Sequence, residues 1–507
     1  MCRSAGFFGA LDAPTVTPPL SDLSAVQAPC TQHKALSLRT NGFARDTLPL
    51  QMRPLLSLCA AAAAASAAVA APCDGAPFNV RSFGARGDGA HNDGPSISAA
   101  IAAAAACGGG TVLLPYLASN SSTFLSGPLF LESNVVFFVA PGATLLATPD
   151  LRAWLGAYHK PSGLSGFPTP GLLNGGRCVE RPPANCTAWH KLHNVTITGG
   201  GAIDGNGPSF WGDSTWWPGP APLPRPFLLD LIYVDGLTVS HVSLLRSALW
   251  TLVPSMSSNV LLEHIFLDAG VQRDVMPYVG YNVDGLDSNN VQNMTLRDSV
   301  FRAGDDCVAI NSRNIAEGFP TRNVSIINLT CITPITIGSG TGNGVFDVTI
   351  RDSLVDARWG APNPRWMPKW AHTGLRLKTA RNRGSGGAHG VRVQNLTVLG
   401  VDLAVDIQSW YSCQNSSGTA NYELCRELNW PSPVQDAPFY SNVEIDGLHG
   451  DAWRAAWLNC LPEAPCRNVS FTNVDLDTIE PEWVCENVHG SASGSVRPSA
   501  QGCFAGP

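Results

Sequence analysis

A short theme recurs ten times along this chain and narrows the folds open to it: Asn, Asp or Gly, then a brief run in which apolar side chains alternate with others. The runs begin at Asn134, Asn194, Gly236, Asn259, Asn293, Asn323, Asp347, Gly390, Asn442 and Asn468. Where no insertion intervenes, successive starts lie about 23 to 34 residues apart. That spacing is too irregular for a propeller, and the runs are too short for a sandwich. It fits a solenoid in which each turn adds one short strand per face. The expected fold is all-β, a single right-handed parallel β-helix. One helical stretch stands out, Ser96 to Ala106, alanine-rich, with Asp93 near its start and Gly108, Gly109 and Gly110 at its end. It is expected to cap the N-terminal end of the solenoid, where an open strand edge invites aggregation.

Residues 52–71 carry the parts of a secretory signal: Met52, the positive charge of Arg53, a short apolar core and an alanine-rich end. Their distance from residue 1 predicts that translation starts at Met52, leaving 1–51 as a disordered upstream extension and 72–507 as the body. The cysteines agree, because setting aside Cys2, Cys30 and Cys59 from the 15 leaves an even set suited to an oxidising compartment. The expected pairs are sequence neighbours: Cys73 with Cys107, Cys178 with Cys186, Cys307 with Cys331, Cys413 with Cys425, Cys460 with Cys466, and Cys485 with Cys503. Sequons at Asn120, Asn323, Asn395 and Asn415 are glycosylation candidates in a secreted chain, although those inside strand runs read equally well as a turn and a strand.

Charged residues make up 14% of the chain and the net charge is -7, so bulk electrostatics gives no sign of nucleic-acid binding. The apolar run at 52–71 is short and weakly hydrophobic for a membrane span, and no other segment qualifies. The expected product is a secreted monomer of the extracellular space or cell wall, with no membrane or nucleic-acid partner.

Chemistry concentrates in two stretches. Asn282, Val283, Asp284, Gly285, Leu286 and Asp287 are followed by Gly304, Asp305, Asp306, Cys307, Val308, Ala309 and Ile310. Carboxylates embedded in strand sequence need partners or a function, and a pair of them supplies the acid and the base that hydrolysis of a glycosidic bond requires. Turn capping and side-chain ladders are the plainer alternative. Asp284 and Asp305 lie 21 residues apart, close to one coil, so they are expected to be neighbours on adjacent turns about 4.8 Å apart. One pKa of such a pair must rise. Asp305 and Asp306 reach one cleft together only if the backbone bends, which Gly304 makes plausible.

The second stretch, Gly374 to Thr379, alternates so that Leu375 and Leu377 point inward while Arg376 and Lys378 share the outer face. Such a cation pair suits the carboxylate of an acidic sugar, although a solvated face is the plainer reading. Trp410 and Tyr411 follow on a further coil, as sugar contacts or as packing. Two insertions, about 357–373 and 413–438, break the period and are expected to shape a binding face.

In this order these residues resemble glycoside hydrolase family 28, the polygalacturonase family, in its plant and bacterial branch. The family's Asn-Thr-Asp-Gly appears as Asn282 to Gly285, its Gly-Asp-Asp-Cys as Gly304 to Cys307, its Arg-Ile-Lys as Arg376 to Lys378, and its tyrosine as Tyr411. The resemblance covers roughly 77–490, with landmarks that include Gly87 to Gly89, Ile203 to Gly207 and Trp250 to Leu252. It implies a pectin-cleaving, inverting hydrolase with no cofactor and no metal. Asp305 would be the general acid, Asp284 and Asp306 would activate water, and Asn282, Arg376, Lys378 and Tyr411 would bind an acidic polysaccharide. The chain departs from the family pattern at Thr333, where a histidine usually tunes the acid. His372 is a candidate replacement. A catalytically weakened, polysaccharide-binding wall protein is the alternative that Thr333 keeps open.

Overall fold

A left-handed backbone conformation is costly for most L-residues, free for Gly and least costly among the others for Asn and Asp. All ten theme residues adopt it, with φ between +53° and +77°, which is why the theme selects these residue types. In this computed structural model, residues 73–118, 122–154, 169–178, 188–211, 225–270, 282–315, 318–360, 373–381, 384–411 and 436–504 are described. The expected signal and extension, His372, the Asn120 and Asn415 sequons, and most of both insertions lie outside them.

The residue after each turn enters the core in strict register. Val195, Leu237, Val260, Met294, Val324, Val348, Val391, Val443 and Val469 form one continuous column of parallel partners. All are buried, so every coil contributes one apolar side chain to the same stack. The described strands are almost all parallel and pair from coil to coil, the pattern of a parallel β-helix. The turn amides form a ladder of their own. Asn194 donates to Asn134 at 3.1 Å, Asn293 to Asn259 at 3.1 Å, Asn323 to Asn293 at 3.0 Å and Asn468 to Asn442 at 2.7 Å. A second corner repeats the device, with Asn328 donating to Asp298 and Asn395 to Asp352. The side chains of the Asn323 and Asn395 sequons are therefore ladder members.

The helix spans Gly94–Ala106, two residues longer at its start than the sequence suggests, with Pro95 in the first turn. Ile97, Ala100, Ile101 and Ala104 form its buried face, and it contacts the first strands of the coil. Asp93 does not cap it through its side chain. Its carboxylate instead accepts from the backbone N–H groups of Arg86 and Gly87 at 2.7 and 2.9 Å. Gly109 and Gly110, both at positive φ, end the helix; a Cβ on Gly109 would sit 2.5 Å from the Asn134 carbonyl oxygen.

Four of the expected disulfides are present: Cys73–Cys107, Cys307–Cys331, Cys460–Cys466 and Cys485–Cys503. Cys186, Cys413 and Cys425 lie outside the described residues. No described helix is long and apolar enough to cross a membrane.

Candidate active site

One face of the coil breaks the rule that alternate strand residues meet solvent. Along it, Leu252, Leu286, Val308, Ile335, Leu375 and Val405 are register partners that point into the core. The neighbouring column runs Val253, Asp287, Ala309, Thr336, Arg376 and Asp406. Its members are buried too, although the pleat turns them away from the core. Buried polar residues on an outward column mark a groove rather than a solvated surface, so the reading of Arg376 and Lys378 as merely solvated does not hold.

The acids converge at the start of two successive strands. One carboxylate oxygen from each of Asp284, Asp305 and Asp306 lies within 4.8 Å of the others. The stacking differs by one residue from the sequence expectation. Leu286 pairs with Val308, a 22-residue step, so Asp284 lies over Asp306, and Asp305 reaches the cluster from the turn before it. Gly285 permits this approach, since a Cβ there would sit 2.4 Å from the Cys307 carbonyl oxygen. Gly304 donates its N–H to Val283 at 2.8 Å, which ties the turn of the second acid pair to the first motif.

Burial and mutual repulsion set the proton affinities. The Asp305 carboxyl is pushed up to about 6 by burial and by Asp306, against the pull of Lys378 and Arg376. Burial, followed by the charges of Asp287, Asp305 and Asp306, holds Asp284 well above the usual carboxylate range. Asp306 is the partnered member. Its Oδ2 accepts from Lys378 Nζ at 2.6 Å and its Oδ1 from the Thr336 hydroxyl at 2.7 Å. Asn282, held at φ +55°, donates to Asp305 Oδ2 at 3.3 Å. The site thus holds two carboxyls of raised proton affinity beside a third that an ammonium and a hydroxyl hold by hydrogen bonds. The three oxygens also form a carboxylate donor set of the kind hard cations take, with the Lys378 ammonium already on one member.

Arg376 and Lys378 emerge from the strand Thr373–Lys378, 2% and 6% exposed. Arg376 Nε donates to Asp406 Oδ2 at 3.2 Å. Burial opposes the charge of Lys378, yet Asp306, Tyr411 and Asp305 carry its pKa above the ordinary lysine range. The Tyr411 ring lies against both cations, 4.7 Å from Lys378 Nζ and 5.4 Å from the Arg376 guanidinium carbon. All seven candidate residues therefore belong to one connected cluster. Trp410, by contrast, packs against Leu461 and Ala464.

Three further members had no role assigned from sequence. Asp287 sits one pleat beyond Asp284, its pKa well above the usual range through burial and Asp306. Thr336 and Asp406 are the register neighbours of Arg376 on either side. The signal for all three was the outward column, legible once the coil length between insertions is known. Thr333 is buried and its hydroxyl has no partner; the hydroxyl that bonds Asp306 belongs to Thr336.

The sequence profile of glycosyl hydrolases family 28 matches residues 178–495, more than half of the chain. Similar curated proteins include the probable polygalacturonase of Vitis vinifera, 27% identical over 386 residues, which are 73% of this chain and 69% of that protein. The endo-polygalacturonase of Pectobacterium carotovorum subsp. carotovorum is 29% identical over 317 residues, 60% of this chain and 70% of that protein. Across such plant, fungal and bacterial relatives, the chain spans 55% to 70% of their length. Among solved structures, an exopolygalacturonase from Thermotoga maritima shares the fold at a TM-score of 0.59 and 19% identity, covering 84% of this chain and 92% of that one. With acid cluster and cation pair both in the matched stretch, the chain belongs to glycosyl hydrolases family 28, a family of O-glycosyl hydrolases.

Proposed function

We propose that this chain is a secreted hydrolase of galacturonate-containing pectic polysaccharide, working by acid and base catalysis with three aspartates. The observation that carries the reading is the contrast inside the acid cluster: Asp305 is raised to about 6, while Asp306 is bound by Lys378 and Thr336. Asp305 then protonates the leaving oxygen as general acid. Asp284 and Asp306 hold the attacking water between them, and Asp306, bonded by Lys378 and Thr336, takes its proton. Arg376 and Lys378 take the sugar carboxylate against Tyr411, and Asn282 orients Asp305.

The right-handed winding, the capping role of the helix Gly94–Ala106, the signal at 52–71 and the extracellular or wall location are parts of the same reading. The disulfides support an oxidising compartment. Inversion is carried by the family resemblance and not by spacing, since carboxylate oxygens within 4.8 Å of one another are closer than the roughly 6.5–9.5 Å usual for inverting pairs. Proton NMR of the first products on homogalacturonan, xylogalacturonan and rhamnogalacturonan tests both points. The expected result is new reducing ends with inverted anomeric configuration on at least one of the three. No new reducing ends on any of them overturns the assignment.

One observation favours a weaker catalyst. The unpartnered hydroxyl of Thr333 stands where the family resemblance places a histidine, and a hydroxyl supplies no titrating cation. A binding protein of that kind would give wild type and Asp305→Asn equal turnover, with sugar binding retained.

A further inference from the structure

Beyond the coil that carries Arg376 and Lys378, the groove floor changes chemistry. The register carries the position of Lys378 to Gln408, then to Asn459 and Glu486. Successive coils therefore present an ammonium, two amides and a carboxylate. Gln408 Nε2 donates to Asp406 Oδ2 at 2.8 Å, and this fixes the orientation of the amide, because only its NH2 end suits a carboxylate. The Gln408 Oε1 left over is buried and has no partner, and the same holds for Asn459 Oδ1. The two residues are 1% and 4% exposed. Cations close by in sequence are engaged: Arg381 bonds both oxygens of Glu463 at 2.6 and 3.0 Å, and Arg454 pairs with Glu480.

Two buried acceptors without donors are satisfied by hydroxyl groups. A sugar carboxylate near neutral pH brings only further acceptors, and it would also face Glu486. Resting on the reading of the groove as an acidic-polysaccharide site, we propose that the coils carrying Gln408 and Asn459 form a subsite for an uncharged sugar ring. Hydroxyls of that ring donate to Gln408 Oε1 and Asn459 Oδ1. Trp457, in register with Asp406, adds an aromatic ring to the same floor. A pyranose repeat is close to the coil spacing of about 4.8 Å, so consecutive sugars fall on consecutive coils. The substrate class selected is a chain in which an acidic residue adjoins a neutral one, in preference to a uniform polyanion.

The test compares kcat/KM on size-matched oligosaccharides, one set of galacturonate alone and one alternating galacturonate with rhamnose. The alternating set is expected to be cleaved at least about tenfold better, as for a site whose buried polar groups must be matched. Asn459→Lys, which places a cation on this floor, should bring the ratio toward one by raising the rate on pure galacturonate; Asn459→Asp should widen it. Equal or faster cleavage of pure galacturonate by the wild type overturns the subsite and leaves the hydrolase reading standing. So does a ratio that neither variant moves while both melt like wild type. Inert wild type on both sets overturns the subsite, and the hydrolase reading falls with it when xylogalacturonan is left uncleaved as well. The wild-type ratio decides the proposal even if Asn459→Lys fails to fold.

Discussion

The turn ladder and the groove face are made by the same coils and obey opposite rules. At the ladder, Asn259, Asn293 and Asn323 repeat one residue type, one backbone conformation and one hydrogen bond per coil. Along the groove, Asp287, Ala309, Thr336, Arg376 and Asp406 occupy equivalent positions with four different chemistries, and most of their polar groups are buried. The ladder is periodic because each rung serves the same end, satisfying a turn. The groove is aperiodic because a ligand, unlike a solenoid, differs from one coil to the next. Burial of so many ionisable groups is tolerated where the periodic side supplies the stability.

That division can be broken at either end. The largest effect is expected on activity: Asp305→Asn should lower kcat by about 10²- to 10⁴-fold, with a melting temperature equal to or above wild type, because a carboxyl raised by burial is removed. Steady-state kinetics with a thermal melt checks both halves. Next comes Lys378→Met, which leaves the buried Asp306 carboxylate without its ammonium. A loss of about 3–5 kcal/mol is expected in denaturant titration, part of it recovered when Asp306→Asn is added.

The pH dependence of stability is a third measure. Asp305 titrates near 6 in the fold against an ordinary value of 3.8, so its contribution is complete below about 4 and disappears as pH rises through 6. Unfolding free energy measured between pH 4 and 7 should therefore decline less steeply in Asp305→Asn than in wild type. The smallest effect belongs to the ladder. Asn293→Ala should cost about 1–2 kcal/mol through two lost side-chain hydrogen bonds and a strained left-handed residue, with kcat/KM unchanged. A large rate loss there would erase the distinction between the two faces.

The same contrast explains what the sequence disclosed. Period and residue type marked all ten turns, because Asn and Gly were required by backbone sterics alone. The helix was visible from Ser96 onward, but its first turn was not, since Asp93 looks like a cap and serves the Arg86–Gly87 turn instead. At the site, Asp284, Asp305, Asp306, Arg376 and Lys378 were legible as motifs. The stacking of Asp284 on Asp306 rather than Asp305 was not, because a one-residue register shift depends on where each coil turns. Thr336 and Asp406 escaped notice for a related reason: on an ordinary strand, an outward Thr or Asp is unremarked, and only the groove makes it a partner of Asp306 or Arg376.

The central claim is that Asp305, raised by burial among acids, works as the proton donor. Its most direct test is the release of reducing ends from polygalacturonate and rhamnogalacturonan by wild type and Asp305→Asn, side by side, from pH 4 to 8. The wild-type rate should fall as pH rises through about 6, and the variant should retain only a small, nearly pH-independent residue of it. Equal rates for the two proteins, or a wild-type rate that climbs steadily toward pH 8, would contradict the account.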